Sequence, residues 1–301
     1  MSLTLSFLTL KASRFLKIID VPTSRSNHKK STPTAGGVAI ILTVSFCMIC
    51  YKLFKPDIQI LPFLASLWII ASVSLADDLK NLPIFPRIIF QLISILTLLS
   101  YYLPGYLFLA IPLFFFINFY NFMDGIDGSA VSEAAHIALS FFIISLLVPG
   151  LPEGMRVLSI VLLGASLGFA KFNWHPAKIF LGDVGSISLG LICGWLLLTL
   201  AKQGLYAAAL IIPMFYLADS SLTILKRLLQ RKKIWEAHSE HFFQKAARKG
   251  HSHSRIATKI VVCNVVLLSL SIISITYPVS SFLIAAAIVL FLLHNLQRDS
   301  Y

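Results

Sequence analysis

The chain has few charged residues and no long polar stretch. Of its 301 residues, 13% are charged and 57% are hydrophobic, and the mean hydropathy is +0.83. The longest polar stretch, 226–255, has about 30 residues, which is too few to build a core of its own. These shortages exclude a soluble globular protein and predict an integral membrane protein without a separate soluble domain.

Cysteine is also scarce. Cys47, Cys50, Cys193 and Cys263 all lie within apolar stretches. The first two have the C-x-x-C spacing, but no further thiol or histidine lies near them in the sequence. We therefore interpret all four as small buried hydrophobic residues rather than as a redox or metal site. An obvious serine or cysteine nucleophile is lacking as well.

Apolar stretches long enough to cross a membrane, about 20 residues each, follow one another along the chain. They are predicted near 36–54, 60–76, 84–103, 105–120, 129–149, 155–172, 185–201, 205–224, 256–275 and 277–295. The shorter segment 3–19 is a further candidate, either a short span or an interfacial helix. The expected fold is an all-α integral membrane protein, a polytopic bundle of about 10–11 transmembrane helices that forms one domain over residues 1–301.

Basic residues are distributed unevenly between alternate loops. Of the 25 lysines and arginines, 21 lie in or beside loops near 11–35, 77–87, 117–128, 171–184 and 225–255, or in the C-terminal tail. The other four are Lys52, Lys55, Arg156 and Lys202. The positive-inside rule therefore places those loops, and any active site they build, in the cytoplasm. Most of the net charge of +12 follows from this asymmetry, so no nucleic-acid partner is predicted.

Amide and acidic side chains recur at every third position directly after the apolar run 107–117. They are Asn118, Asn121, Asp124 and Asp127, and residues at this spacing share one side of a helical or turn-like path. Polar groups at the end of a membrane span are costly and usually functional. The spacing differs from that of a calcium loop, whose ligands alternate. An ordinary polar interfacial loop is the alternative for this segment taken alone.

The first cytoplasmic loop has the composition of an anion-binding turn. Arg25 and His28 precede Gly36 and Gly37, and glycine allows backbone N–H groups to approach a phosphate closely. A basic juxtamembrane loop explains the same residues equally well.

Two other loops carry acids at predicted helix ends. Asp77 and Asp78 repel one another at the C-terminal end of a span, which also disfavours negative charge. A bound divalent cation would relieve both effects, and a solvated acidic cap is the alternative. Asp183 lies between glycines just before another span, beside a helix N-terminus that favours anions, where an N-cap function is the alternative.

The loop 225–255 contains four histidines within 16 residues: His238, His241, His251 and His253. Their spacing matches no standard zinc site. Contacts to a phosphorylated substrate explain them better, with a solvated loop as the alternative.

Together, the acidic loops predict one site at the cytoplasmic membrane face. Mg²⁺ prefers oxygen ligands, typically a carboxylate or two together with substrate phosphates, and phosphoryl transfer requires charge neutralisation. A proton-coupled multi-span transporter is the alternative, because intramembrane acids such as Asp219 are typical of proton relays. The clustering of acids at one face, without a visible inverted repeat, favours an enzyme.

The motifs resemble the polyprenyl-phosphate N-acetylhexosamine-1-phosphate transferases, the WecA/MraY-like glycosyl transferase family 4, from Asp20 to about Lys259. The matching segments are Asp77-Asp78 with Arg87 and Gln91, Asn118-x-x-Asn121-x-x-Asp124-Gly-Ile-Asp127-Gly, Phe180-Leu-Gly182-Asp183-Val-Gly185-Ser186, Asp219 before Lys226-Arg227, and Ala237-His238-x-x-His241-x-Phe243-Gln244. The histidine segment is similar to the branch that serves O-antigen and related surface polysaccharides. Three positions depart from the family pattern: Thr34 and Ser239 stand where arginine is usual, and Phe243 where tyrosine is usual.

The resemblance implies a reaction at the bacterial inner membrane. A UDP-N-acetylhexosamine would donate its sugar 1-phosphate to a polyprenyl phosphate, undecaprenyl phosphate by similarity, with release of UMP. The peptidoglycan-branch UDP-MurNAc-pentapeptide phosphotransferase is the alternative within the family, and a homodimer is a further expectation. The implied residues are Asp183 for Mg²⁺ (or Mn²⁺), Asp77 and Asp78 for catalysis, and Arg25, His28, Asn118, Asn121, Asp124, Asp127, His238, His241 and His253 for the substrates.

Overall fold

A computed structural model of the protein describes residues 1–22, 30–233 and 238–298 and is built almost entirely of helices. The helices are α1 (Ser2–Phe15), α2 (Gly37–Phe54), α3 (Leu61–Lys80), α4 (Ile84–Tyr102), α5 (Ala110–Phe122), α6 (Ser129–Leu147), α7 (Glu153–Asn173), α8 (Asp183–Lys202), α9 (Tyr206–Ile211), α10 (Met214–Leu229), α11 (Phe242–Arg248), α12 (His253–Ile273) and α13 (Pro278–Arg298). A 3₁₀ turn, Pro104–Leu109, precedes α5. Two short strands, β1 (Ile19–Asp20) and β2 (Thr32–Pro33), pair antiparallel with Ile19 opposite Pro33.

Within these ranges, nine helical stretches are long and apolar enough to cross a membrane. They are α2 to α8, with the 3₁₀ turn extending α5, together with α12 and α13. The predicted class, an all-α multi-pass membrane protein, is confirmed. Two of the predicted segments are not uninterrupted spans: 3–19, for which a short span or an interfacial helix was expected, and 205–224.

The first of these is the N-terminal segment. Helix α1 has 14 residues, about 21 Å of helix, which is shorter than a hydrocarbon core of about 30 Å. Its small polar residues face the bundle: Ser2 Oγ donates to the carbonyl oxygen of Ala165 at 2.7 Å, and Ser13 Oγ to that of Thr34 at 2.8 Å. The segment is therefore a short helix packed against α7 and α2 rather than a complete span.

The second is the predicted span 205–224, which is broken between α9 and α10 at Ile212 and Pro213. Proline lacks the N–H that continues a helix and its ring clashes with the preceding turn. His136 Nε2 lies 3.0 Å from the carbonyl oxygen of Ile212. Such a partner is what allows an interrupted helix to exist at membrane depth. The break separates α9 from α10, which carries Asp219.

Helix α8 lies at the centre of the bundle and is almost wholly buried. A Cβ atom added to Gly190 would lie 2.9 Å from the Cα atom of Ile117 on α5, so glycine permits this close approach between membrane helices. The start of α8 is thereby held beside the ends of α3 and α5. These three ends carry the acidic motifs.

The structure also supports a direct test of topology. Lys55 Nζ lies 4.0 Å from a carboxylate oxygen of Glu153, at the opposite end of the bundle from the acidic helix ends. In a background without the four native cysteines, we expect Lys80→Cys and Lys249→Cys to react with impermeant thiol reagents only from the cytoplasm, because basic loops remain inside. Asp57→Cys and Glu153→Cys should react only from outside. Labelling of Lys80→Cys and Lys249→Cys from different faces would contradict a shared site.

Candidate active site

A cavity of about 780 Å³ lies where the ends of α3, α5 and α8 meet the adjoining loops. Its polar lining includes Asp20, Asp77, Asp78, Asn81, Arg87, Asn121, Asp124, Asp127, Asn173, Asp183, Gln244 and His253. The cavity therefore brings together acids from four separate segments of the sequence, as the loop arrangement predicted.

Asp78 joins α3 to the start of α8. Its carboxylate oxygens accept hydrogen bonds from the backbone N–H groups of Asp183 (2.8 Å) and Val184 (3.0 Å), which are unpaired donors at a positively polarised helix N-terminus. Gly182 has φ +73°, and a Cβ atom there would lie 2.6 Å from Asp78 Oδ2. The distant Asp78 thus caps the helix, and the Asp183 side chain lines the cavity.

Arg87 on α4 links two of the acids. Its Nη1 lies 2.9 Å from Asp77 Oδ2, and its Nη2 lies 2.9 Å from Asp183 Oδ2. Asp77 also accepts a hydrogen bond from the Leu82 N–H at 2.7 Å. The planar guanidinium fork suits such a double contact. The sequence motif included Arg87 without indicating this function.

Asn118 and Asn121, the two asparagines of the polar motif, both lie on α5 but have different positions relative to the cavity. Asn121 Nδ2 donates to Asp183 Oδ1 at 2.9 Å and to Ser186 Oγ at 2.8 Å, and it lines the cavity. Asn118 Nδ2 donates to Gln91 Oε1 at 3.0 Å and lies outside the lining. The structure therefore brings Asn121, but not Asn118, to the acids.

Asp124 is an acid of the cavity whose side chain has neither a counter-charge nor a hydrogen bond among the described residues. Burial, together with the negative charges of Asp183, Asp78 and Asp127, raises the pKa of Asp124 well above its usual range. Repulsion of this kind is what a bound cation would offset.

The donor set of the cavity fits Mg²⁺. Its carboxylates supply oxygen ligands, which this hard cation prefers. Among the described residues, Arg87 is the only lysine or arginine that lines the cavity, so the described part of the lining has an excess of negative charge. Asp77, Asp124 and Asp183 all contribute carboxylates to this lining, and the negative charge of Asp183 raises the pKa of Asp124.

Asp127 lies in a cluster with two histidines. Its Oδ2 lies 2.7 Å from His175 Nδ1 and its Oδ1 3.3 Å from His253 Nδ1. Burial opposes its ionisation, but hydrogen bonds from His253, His175 and the Ala177 N–H outweigh that effect and lower the pKa of Asp127. One ligand atom from each of the three side chains lies within 4.8 Å of the others, so the cluster has the donors of a metal site too. Sequence reasoning missed His175, whose one signal was its place in the loop that leads to Asp183.

Two further predicted histidines, His238 and His241, lie outside the cavity lining. Asp219, which is fully buried, accepts hydrogen bonds from His241 Nδ1 (3.0 Å) and from the N–H groups of Phe242 (3.1 Å) and Phe243 (3.2 Å). The His238 ring stacks on that of His241 at 5.1 Å. Burial, His241 and Arg227 lower the pKa of His238 to about 4, so it is uncharged near neutral pH. Asp219 therefore anchors α11, which disfavours its interpretation as a proton relay.

The first loop does not form a phosphate cradle from its glycines. The Gly36 and Gly37 N–H groups donate to the carbonyl oxygens of Phe180 (2.9 Å) and Leu181 (2.8 Å). Because both donors are used within the protein, the predicted cradle at these positions is wrong. Arg25 and His28 lie outside the described residues, and their contacts to substrate stay a prediction.

Comparison with known proteins shows which family the chain is similar to. Residues 60–201 match the model of glycosyl transferase family 4, a segment that runs from α3 through α8 and includes Asp77, Asp124 and Asp183. The probable undecaprenyl-phosphate N-acetylglucosaminyl 1-phosphate transferase of Bacillus subtilis strain 168 is 26% identical over 78% of this chain and 71% of its own length.

Two further relatives have different named activities. The phospho-N-acetylmuramoyl-pentapeptide-transferase of Borrelia turicatae is 29% identical over 62% of this chain and 66% of its own length. The decaprenyl-phosphate N-acetylglucosaminephosphotransferase of Mycolicibacterium smegmatis is 33% identical over 46% of this chain and 39% of its own length. The resemblance predicted from the motifs is confirmed: the chain is similar to the WecA/MraY-like glycosyl transferase family 4 over residues 60–201 and to these relatives.

Proposed function

We propose that this protein transfers N-acetylhexosamine 1-phosphate from a UDP-N-acetylhexosamine to undecaprenyl phosphate and releases UMP. The observation that carries the proposal is the meeting of Asp77, Asp124 and Asp183 with Arg87 in one cavity at the ends of membrane-spanning helices. A charged cavity at the end of apolar helices suits a reaction between a nucleotide-sugar and a phosphate carried on a lipid. The names of the relatives agree with this proposal, because two of them are polyprenyl-phosphate transferases.

The proposed reaction is a direct displacement. A phosphate oxygen of the lipid forms a bond to the sugar-linked phosphorus of the donor, and the bond from that phosphorus to the UMP oxygen breaks. Any proton on the attacking phosphate passes to a carboxylate. Asp77, which pairs with Arg87, and Asp78, which accepts backbone hydrogen bonds, are the two candidates to receive it. This route requires no serine or cysteine nucleophile.

Mg²⁺ is the proposed cofactor, held by Asp183 with Asp124 beside it. When bound, it would neutralise the diphosphate charge that develops as UMP leaves. Arg87 keeps Asp77 and Asp183 in a fixed relation, and Asn121 orients the second oxygen of Asp183. The described contacts therefore hold the acids in position before substrates bind, which is how an electrostatic site lowers a barrier.

The cytoplasmic face of a bacterial inner membrane is the proposed location of the site. The proposed product initiates a lipid-linked surface polysaccharide such as O-antigen, on the similarity of the segment around His238 and His241. Relatives named for phospho-N-acetylmuramoyl-pentapeptide transfer support the second candidate, in which the donor is UDP-MurNAc-pentapeptide.

A donor screen tests this proposal. We expect the purified protein in detergent to release UMP from a UDP-N-acetylhexosamine only when undecaprenyl phosphate and Mg²⁺ are both present, because the lipid phosphate is the nucleophile. UDP-GlcNAc, UDP-GalNAc and UDP-MurNAc-pentapeptide would be compared, with the lipid product measured beside UMP. UDP-glucose, which lacks the acetamido group, and reactions without acceptor are the controls. Solute uptake by proteoliposomes without nucleotide cleavage would instead favour a transporter.

A further inference from the structure

A buried carboxyl group and a buried amide face one another inside the membrane-spanning bundle. Glu133 lies on α6 and Asn264 on α12, with exposed fractions of 0% and 2%. Asn264 Nδ2 donates a hydrogen bond to Glu133 Oε2 at 2.7 Å. Acids and amides this deep in a helical bundle are costly and are rarely present without a purpose.

The remaining oxygen atoms of this pair lack donors. Neither Glu133 Oε1 nor Asn264 Oδ1 has a hydrogen-bond partner, and both atoms are buried. In the described residues, Glu133 makes no ion pair with a lysine, arginine or histidine. Nearby titratable groups are engaged elsewhere, His136 with the Ile212 carbonyl oxygen and Tyr216 with Ser129 Oγ. An ionised Glu133 would therefore be a buried anion without a counter-charge, which proteins avoid.

A single proton removes both deficits. If Oε1 of Glu133 carries it, this atom becomes a donor for Asn264 Oδ1, while Asn264 Nδ2 continues to donate to Oε2. A carboxylic acid and a carboxamide then form two parallel hydrogen bonds in a closed ring. Both planar groups become fully paired, as a polar pair in a bilayer requires.

We infer that Glu133 is a neutral carboxylic acid paired reciprocally with Asn264, and that this pair positions the active-site ends of α6 and α12. Helix α6 follows directly on the loop with Asp124 and Asp127, and α12 begins at His253. These elements meet again at the cavity, where Asp127 Oδ1 lies 3.3 Å from His253 Nδ1. Two contacts along the same helix pair fix their relative rotation and depth. Glu133 and Asn264 are thus positioning residues that touch no substrate.

The variants Glu133→Gln and Glu133→Leu separate this assignment from simple loss of packing. Glutamine can form the same two-bonded ring with Asn264, so we expect Glu133→Gln to keep kcat/KM within about twofold. Leucine leaves Asn264 unpaired, so Glu133→Leu and Asn264→Leu should each lose about tenfold or more. The double leucine variant should lose less than the two single effects combined, because no unpaired polar group remains. Ser140→Ala is the control: it removes a different buried polar group, a hydroxyl, from α6, and its kcat/KM should match that of the wild type.

Infrared difference spectra of wild type against Glu133→Gln provide a measurement that does not depend on turnover. We expect the carbonyl stretch of a protonated carboxylic acid, absent from Glu133→Gln and persisting at neutral pH, where exposed carboxyl groups are ionised. A carboxylate band in its place, or a Glu133→Gln variant as impaired as Glu133→Leu, would overturn the assignment.

The kinetic arm rests on the proposed function, and the spectroscopic arm does not. A wild-type protein without UMP release would contradict the proposed function and leave the infrared result to decide the protonation of Glu133. Thermal unfolding of the same variants in detergent then decides the coupling of α6 and α12, with Glu133→Gln expected near wild type and both single leucine variants below it.

Discussion

Asp183→Asn should lower turnover by roughly two to four orders of magnitude while expression and membrane insertion stay close to normal. Asparagine keeps the shape of the side chain but removes the charge proposed to hold Mg²⁺. A catalytic metal contributes several kcal/mol of transition-state stabilisation, and each ~1.4 kcal/mol corresponds to about tenfold in rate. The measurement is UMP release at saturating substrates across a Mg²⁺ titration. The variant should need more Mg²⁺ for its residual activity.

Asp57→Asn is the matched control for this substitution. Asp57 is exposed and lies in the loop between α2 and α3, at the end of the bundle away from the cavity. Substitutions at such surface positions usually have small effects, so turnover should stay within about twofold. An active Asp183→Asn enzyme with an unaltered Mg²⁺ requirement would rule out Asp183 as a metal ligand.

Asp219→Ala should lower the free energy of unfolding by about 2–4 kcal/mol and reduce turnover by at least about tenfold. The substitution removes the acceptor of His241 Nδ1 and of the Phe242 and Phe243 N–H groups. Buried donors left without a partner retain their full desolvation cost. Activity should fall because α11, which carries the cavity residue Gln244, would lose its anchor. Unfolding in detergent and UMP release measure the two effects.

Glu153→Ala provides the comparison for Asp219→Ala. It removes an exposed acid whose ion pair with Lys55, at 4.0 Å, is long and solvated, and such pairs contribute little. It should leave stability and turnover nearly unchanged. If Asp219→Ala retained wild-type turnover, α11 would not depend on this anchor for the geometry of the cavity. If it instead abolished only proton-coupled uptake, the transporter alternative would be restored.

The prediction of spans succeeded where one helix crosses the bilayer without interruption. Hydropathy alone carries this information, because every apolar stretch of sufficient length must pair its backbone within a helix. It failed for 205–224, where Pro213 breaks the helix and His136, from a distant part of the sequence, contacts the freed carbonyl group of Ile212. A span prediction considers each segment alone and cannot include such a partner.

The predicted site residues that lie at helix ends are found in the cavity lining, and their functions stay predictions. Asp77, Asp78, Asn121, Asp124, Asp127, Asp183 and His253 all line the cavity, as the acidic loops indicated. Asn118, His238 and His241 lie outside its lining, because their side chains turn towards Gln91, Phe122 and Asp219. Asn118 lies three residues, about 4.5 Å of helix, further from the end of α5 than Asn121, and His238 and His241 precede α11, so proximity in sequence did not ensure proximity to the cavity.

By itself, the sequence determined the class of the protein, the approximate positions of most spans and the family. These follow from local hydropathy and from residue types at short fixed spacings, which do not depend on distant contacts. Only the tertiary structure decided the contacts of each acid. Asp78 caps α8, Asp219 anchors α11, and Asp124 is left without a counter-charge. These differences arise from donors many residues away in the sequence, and the electrostatic state of a carboxylate depends on the groups that surround it in space.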